Sequence, residues 1–276
     1  MLPVSSGEEY TVLRSIAQWL QERTGIYYPD NKLETLKHKL FKVCLDHRLT
    51  LSQLSIELQN ANGKTGPLCL QVVAAASTNH TAFFREDIWD WFRDDILSDV
   101  VMKNGQIRLW SAAASSGEEA YTAAMVSAET LGIHEFKKRF AILGTDISFQ
   151  ILRQAEDGIY PVERLSNIPD NYRNRYFVNH EDGSCTRIHE DLKSVCLFRR
   201  MNLKKRPYPF KRRFHIIFCR NVLYYFTPSE RENIVNAIYD SAEPGGWLIV
   251  SVTESLNNMK TPWKRIAGKT GIYRKE

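Results

Sequence analysis

The sequence lacks most of the short signatures that tie a chain to a chemistry. It has no Gly-x-Gly-x-x-Gly turn, so a loop that cradles a pyrophosphate is not expected. Its five cysteines, Cys44, Cys69, Cys185, Cys196 and Cys219, include no Cys-x-x-Cys spacing. Odd in number and dispersed, they read as reduced thiols rather than a disulfide framework. The seven histidines form no His-Glu-x-x-His pair, which argues against a catalytic metal. Long apolar runs are also missing. Residues 214–218 and 247–252 are the most apolar stretches, far too short to span a bilayer, and read as buried strands. No basic start leads into an apolar core at the N-terminus, so a cytoplasmic protein without membrane insertion is expected.

Charge is present but weakly biased, at a net +5 over 276 residues. Its placement says more. Arg199, Arg200, Lys204, Lys205, Arg206, Lys211, Arg212 and Arg213 follow one another without an acid. Such a run is either a solvated loop or a guide for an anionic substrate. A second basic group, Lys32, Lys37, His38, Lys39, Lys42, His47 and Arg48, lies on a helical segment whose i, i+3 and i+4 positions share a face.

Periodicity divides the chain. Leu13, Ile16, Ala17 and Leu20, then Leu33, Leu36, Leu40 and Val43, then Leu51, Leu54 and Leu58 recur at helical spacing. A helical bundle is predicted over about residues 8–60, with a linker near residues 62–67 and an N-terminal helical domain at 1–75. The remainder, 76–276, alternates strands (residues 107–112, 140–144, 214–219 and 247–252) with helices, the pattern of a doubly wound α/β sheet. Residues 158–196 interrupt that pattern and predict a small inserted antiparallel β-subdomain. Thr227-Pro228-Ser229-Glu230 has the form of a capped helix start. Gly245-Gly246 is expected to end that helix, and residues 265–275 to form a hairpin.

In an open α/β sheet, ligands bind outside the carboxyl ends of the strands. Three segments stand at such ends. Trp110-Ser111-Ala112-Ala113-Ala114-Ser115-Ser116-Gly117-Glu118-Glu119 has small side chains that let a ligand approach the backbone. Ser116 and Glu119 have capping-box spacing, so Glu119 is either a helix cap or an acid for the ammonium of an amino-acid-bearing cofactor. Asp146 is either an N-cap or an acceptor for ribose hydroxyls. Arg220-Asn221, followed by Tyr224 and Tyr225, makes a better site wall than a core. Ahead of the sheet, Ser77-Thr78-Asn79-His80-Thr81-Ala82-Phe83-Phe84-Arg85-Glu86 mixes polar groups with two adjacent aromatics.

Taken in order, these segments together with Gly144-Thr145-Asp146-Ile147 and Met201-Asn202-Leu203 resemble the CheR family of chemoreceptor glutamate methyltransferases, over nearly the whole chain. The resemblance implies a class I S-adenosylmethionine-dependent methyltransferase sheet with the helical N-terminal domain and the β-subdomain. It implies S-adenosylmethionine as cofactor, held by Asn79, Thr81, Arg85, Glu119, Asp146, Asn202, Leu203, Arg220 and Asn221. It places Arg85 and Tyr225 nearest the methyl transfer, and no metal. The implied partners are the cytoplasmic domains of chemoreceptors, with a monomeric enzyme and no nucleic acid; the basic face of the second helix, with Lys37, Lys39 and Lys42, would suit docking of such a carboxylate-rich partner. Two positions depart from the family pattern: His215 stands where aspartate is usual, and Ala120 where proline is usual. The loop at residues 179–186 is short beside members that dock a receptor's C-terminal tether peptide on the subdomain. The alternatives from other classes are a nucleic-acid methyltransferase using residues 199–213 and a non-enzymatic signalling adaptor.

Overall fold

The computed structural model describes residues 6–61, 66–77, 81–180 and 183–276. Four helices come first: α1 (Ser6–Thr24), α2 (Leu33–His47), α3 (Leu51–Asn60) and α4 (Pro67–Ala76). The apolar residues at i+3 and i+4 spacing, Leu13, Ile16, Leu20, Leu33, Leu36, Leu40, Leu54 and Leu58, are all buried together. Each such side chain contributes roughly 1.5–3 kcal/mol on leaving water. A reciprocal capping box opens α3, with Thr50 accepting from the Gln53 N–H and Gln53 accepting from the Thr50 N–H. Cys69, Val72, Val73 and Ala76 of α4 join the same core. α4, which follows the predicted break, thus packs with the bundle, because its apolar face needs cover.

A continuous helical segment follows, made of α5 (Trp89–Trp91), a π-helical turn (Phe92–Leu97) and α6 (Ser98–Lys103). Beyond it the strands are β1 (Ile107–Ser111), β2 (Phe140–Asp146), β3 (Ile159–Pro161), β4 (Phe177–Asn179), β5 (Cys185–Ile188), β6 (Cys196–Arg200), β7 (Phe214–Phe218), β8 (Ala242–Ile249), β9 (Lys264–Arg265) and β10 (Ile272–Arg274). The helices between them are α7 (Glu118–Leu131), α8 (Ile133–Arg139), α9 (Phe149–Asp157), α10 (Asp170–Tyr176), α11 (Glu190–Lys193) and α12 (Pro228–Ser241). The main sheet has the order β6-β2-β1-β7-β8-β10-β9. Its first five strands are parallel and β10 is antiparallel to both neighbours. This is the doubly wound sheet of a class I methyltransferase, and its strand order reverses between β1 and β7. Every residue of β7 is buried, as a central strand covered on both faces requires. Ala120, Ala123, Ala124 and Ala128 of α7 are buried too, and their small side chains let that helix lie close to the sheet.

Two local expectations change. Gly245 and Gly246 do not end α12; the helix stops at Ser241 and both glycines lie inside β8. A Cβ on Gly246 would come within 2.8 Å of the Glu243 carbonyl oxygen, so glycine is required by the strand's irregular entry. The start of α12 is only half a capping box: Thr227 accepts from the Glu230 N–H, while the Glu230 side chain pairs with Arg206 instead. At the start of β7, His215 Nδ1 accepts the Arg108 N–H at 3.0 Å, beside a register shift between Phe214 and Ile216. Burial pushes this imidazole down from its ordinary range, which suits a neutral acceptor.

The insertion forms a separate antiparallel sheet of order β3-β5-β4. Glu181 and Asp182 of its expected turn lie outside the described residues. β6, whose first residue, Cys196, falls in the stretch assigned to the insertion, returns to the main sheet beside β2.

Candidate active site

The reversal of strand order leaves a crevice above the carboxyl ends of β1, β2 and β7, and one pocket of about 870 Å³, its open mouth included, occupies it. Thr81, Arg85, Glu119, Asp146, Asn202, Leu203, Arg220, Asn221 and Tyr225 all line it. Segments separated by as many as 144 positions, counting from Thr81 to Tyr225, thus converge on one space. Asn79 lies outside the described residues.

The floor is the turn after β1. Trp110 Nε1 donates to Thr145 Oγ1 at 2.9 Å, and the Ala114 N–H to the Thr145 carbonyl at 2.8 Å, which ties the ends of β1 and β2 together. Ser115 then takes a left-handed conformation with φ 50°, and Gly117 follows at φ 96°. At Gly117 a side chain would be excluded twice, by that φ and by Ala155 Cβ at 2.9 Å. The Asp146 carboxylate accepts the Ser115 N–H at 3.0 Å through one oxygen and the Ser148 N–H at 2.9 Å through the other. Asp146 is not the N-cap of α9, because Ser148 holds that position.

The capping-box reading of Ser116 and Glu119 does not hold. Gly117 is the N-cap of α7 with no side-chain cap, and Ser116 Oγ donates to Glu118 at 2.7 Å. Glu119 turns the other way: Ser111 Oγ donates to it at 2.7 Å and Arg220 at 3.1 Å. Arg220 also bridges to Glu86 at 3.0 Å and donates to the Arg85 carbonyl at 2.9 Å. With its side chain only 2% exposed between two acids, Arg220 is a buried strut rather than a cation offered to a ligand. Burial pushes the carboxyls of Glu119 and Asp146 above the ordinary range, while Arg220 and Ser111 oppose this at Glu119 and backbone N–H groups oppose it at Asp146.

Two parts of the wall escaped the sequence reading. Glu254 is buried and accepts the N–H groups of Asn221 at 2.6 Å, Leu223 at 2.8 Å and Tyr224 at 3.4 Å. It holds the loop that presents Asn221, at φ 56°, and Tyr225. The end of α1 supplies the other part, with Thr24 and Ile26 on the pocket wall. Asn202 Nδ2 donates to the Arg23 carbonyl at 2.9 Å, Lys204 Nζ to the Gln21 and Glu22 carbonyls at 2.8 and 2.7 Å, and the Tyr27 N–H to the Tyr225 carbonyl at 2.7 Å. The only sequence signal for this contact is the Thr24-Gly25 break, since Gly25 lies against the Phe226 ring.

The pocket suits a ligand that is cationic and has no phosphate. Two carboxylates, Glu119 and Asp146, stand on its wall together with the Arg85 guanidinium, Arg220 is neutralised by its acids, and Ala112 and Ala113 leave the backbone open to close approach. Ser115 Oγ, buried on the same wall, has no partner within the protein. These residues fit S-adenosylmethionine, whose sulfonium and ammonium are cationic and whose ribose offers hydroxyls.

Comparison with known proteins agrees. Residues 79–272 match the family described as CheR methyltransferase, SAM binding domain. A chemotaxis protein methyltransferase of Vibrio anguillarum is 31% identical over 273 residues, 98% of this chain and 97% of the relative. One of Borreliella burgdorferi is 35% identical over 197 residues, 69% of each chain, and one of Escherichia coli 31% over 252 residues, 90% of this chain and 85% of the relative. This chain belongs to the CheR methyltransferase family, uses S-adenosylmethionine, and serves methylation in chemotaxis.

Proposed function

We propose that the acceptor is a carboxylate, the side chain of glutamate residues on the cytoplasmic domains of chemoreceptors, and that the product is a methyl ester. The observation that carries this reading is the state of the acids around the pocket. Glu119 is held by Ser111 and Arg220, Asp146 by two backbone N–H groups, and Glu86 by Arg220 and Ser251. Among the described residues lining the pocket there is no histidine, lysine or cysteine. An acceptor that must lose a proton, such as an ammonium, would find no group free to take it among those described residues. A glutamate, with an ordinary pKa of about 4.3, arrives already ionised.

The cofactor supplies an electrophilic methyl on a sulfonium. The protein's task is then to bring a carboxylate oxygen in line with it and exclude water. Arg85 and Tyr225 stand on the wall for that role. Orientation is the better use of them, because a carboxylate gripped too strongly loses nucleophilicity. Tyr225 is itself positioned by a backbone bond to Tyr27 and by the Tyr224 ring, with centroids 4.4 Å apart.

Docking is proposed for the outer face of α2, in a narrower form than the row of three lysines. Lys42 is exposed, next to exposed Phe41 and Leu45. Lys37 pairs with Glu9 at 2.8 Å, and Lys39 turns inward to donate to Tyr28 Oη at 3.3 Å and the Ala76 carbonyl at 3.1 Å. The basic run at residues 199–213 is divided: Arg200 donates to the Ile147 carbonyl, Lys204 to the end of α1, and Arg206 pairs with Glu230, while Lys205, Lys211, Arg212 and Arg213 are exposed. The cations already held by the protein are not offered to phosphates, which weakens the case for a nucleic-acid acceptor. No helix among the described residues is long and apolar enough to cross a membrane. Incubating the protein with methyl-labelled cofactor and either receptor cytoplasmic fragments or RNA tests the reading. Label in receptor alone is expected; label in RNA alone would overturn it.

A further inference from the structure

We propose that the inserted antiparallel subdomain positions the cofactor-binding turn, with Tyr160 and Arg164 as positioning residues acting through Ser116 and Glu118. The turn needs outside support. Ser115 and Gly117 both stand at positive φ, and a non-glycine residue holds that conformation only where its surroundings determine it. On the pocket side Asp146 takes the Ser115 N–H. On the far side the support comes from the subdomain. Tyr160, in β3 and 3% exposed, donates through its hydroxyl to the Ser116 carbonyl at 2.6 Å. Arg164, just after β3, reaches Glu118 at 2.9 Å, and the Glu118 side chain is fully buried.

The same elements grip the other pocket-lining segment. Arg164 also donates to the Thr81 carbonyl at 3.4 Å. Phe83 packs edge-on to Tyr160 and Phe177, at centroid distances of 4.9 and 5.4 Å, and Phe84 lies 4.9 Å from Tyr172. The Phe84 N–H donates to Thr122 Oγ1 on α7. Residues 81–85 and 115–119 both contribute to the pocket wall, and the subdomain contacts both segments. Neither Tyr160 nor Arg164 lines the pocket. Their effect therefore passes through the position of the two segments.

The test uses the full-length protein with S-adenosylmethionine binding by calorimetry, steady-state methylation and thermal unfolding. Tyr160→Phe removes one hydroxyl and Arg164→Met removes the shared donor. Both are expected to raise the cofactor Kd by about two- to thirtyfold, the range of coupling carried by residues away from the ligand. The kcat at saturating cofactor should stay within about twofold, since neither side chain reaches the reacting groups. Arg164→Met also strands a buried carboxylate, which lowers Tm for a purely structural reason. Adding Glu118→Gln to Arg164→Met should recover Tm while the Kd stays raised. An unchanged Kd in Tyr160→Phe and Arg164→Met would overturn the proposal, as would a Kd that recovers together with Tm in the double variant. If Arg164→Met fails to fold, Tyr160→Phe decides the matter alone.

Discussion

Replacing Glu254 separates the carboxylate's role in shaping the loop from its charge. One of its oxygens accepts the Asn221 N–H at 2.6 Å; the other accepts those of Leu223 at 2.8 Å and Tyr224 at 3.4 Å. Alanine would leave two closely bonded N–H groups and one looser one without a partner in a buried site. At about 1–3 kcal/mol for each of the two well-bonded donors orphaned, the cost is about 2–6 kcal/mol. Glutamine keeps one acceptor oxygen but turns an NH2 group toward the remaining donor. Against that loss stands relief from burying a charge, since burial already pushes the Glu254 carboxyl above its ordinary range. The net for glutamine is therefore smaller, about 1–2 kcal/mol. At about 2–4 °C per kcal/mol for a protein of this size class, glutamine lowers Tm by about 2–8 °C and alanine by clearly more. Both variants should also weaken cofactor binding, because Asn221 and Tyr225 ride on the displaced loop. Scanning calorimetry with and without S-adenosylmethionine measures both effects. A Tm within about 1 °C of wild type for alanine, a shift worth well under 1 kcal/mol, would refute the reasoning.

Tyr225→Phe should lower kcat by about tenfold or more, the loss of a hydrogen bond to a charged group, while the cofactor Kd moves little. Turnover equal to wild type would remove Tyr225 from the transfer step. On α2, Lys42→Glu should raise the KM for receptor and leave Tm alone, with a stronger effect at low salt. Lys39→Met should instead lower Tm, because its ammonium holds Tyr28 and the end of α4. An equal rise in receptor KM from both, with no change in Tm, would count against the inward role of Lys39. Glu119 must be charged to hold a cationic cofactor, and burial pushes its carboxyl upward. Cofactor affinity measured across pH should therefore begin to fall on acidification at a pH above the ordinary glutamate value of about 4.3. Glu119→Gln should bind more weakly at neutral pH and lose part of that pH dependence, the remainder belonging to Asp146.

Much of the architecture was legible because hydrophobic period reports burial directly. The 3.6-residue spacing of Leu33, Leu36, Leu40 and Val43 and the continuous run at residues 214–218 each allow one environment. Local chemistry was less decisive where two partners compete for one side chain. Ser116 and Glu119 have capping-box spacing, but Glu119 finds Arg220, which lies 101 positions away. Glu230 finds Arg206 in the same way. Gly245-Gly246 was misread because a glycine pair marks a helix end and a strand irregularity equally well. In the site, the residues at strand ends were legible from their motifs. Thr24 and Ile26, which line the pocket, and Glu254, which braces its wall from behind, were not, since each reaches the site only through tertiary contacts that no local pattern records. The same holds for Tyr160 and Arg164.

The central claim is that the transferred methyl ends on a carboxylate oxygen. It is tested most directly by labelling receptor cytoplasmic fragments with this protein and methyl-labelled S-adenosylmethionine, then treating the isolated receptor with alkali. A methyl ester hydrolyses under those conditions, so the label should leave as volatile methanol. Label that stays on the receptor after alkali would place the methyl on nitrogen and contradict the account.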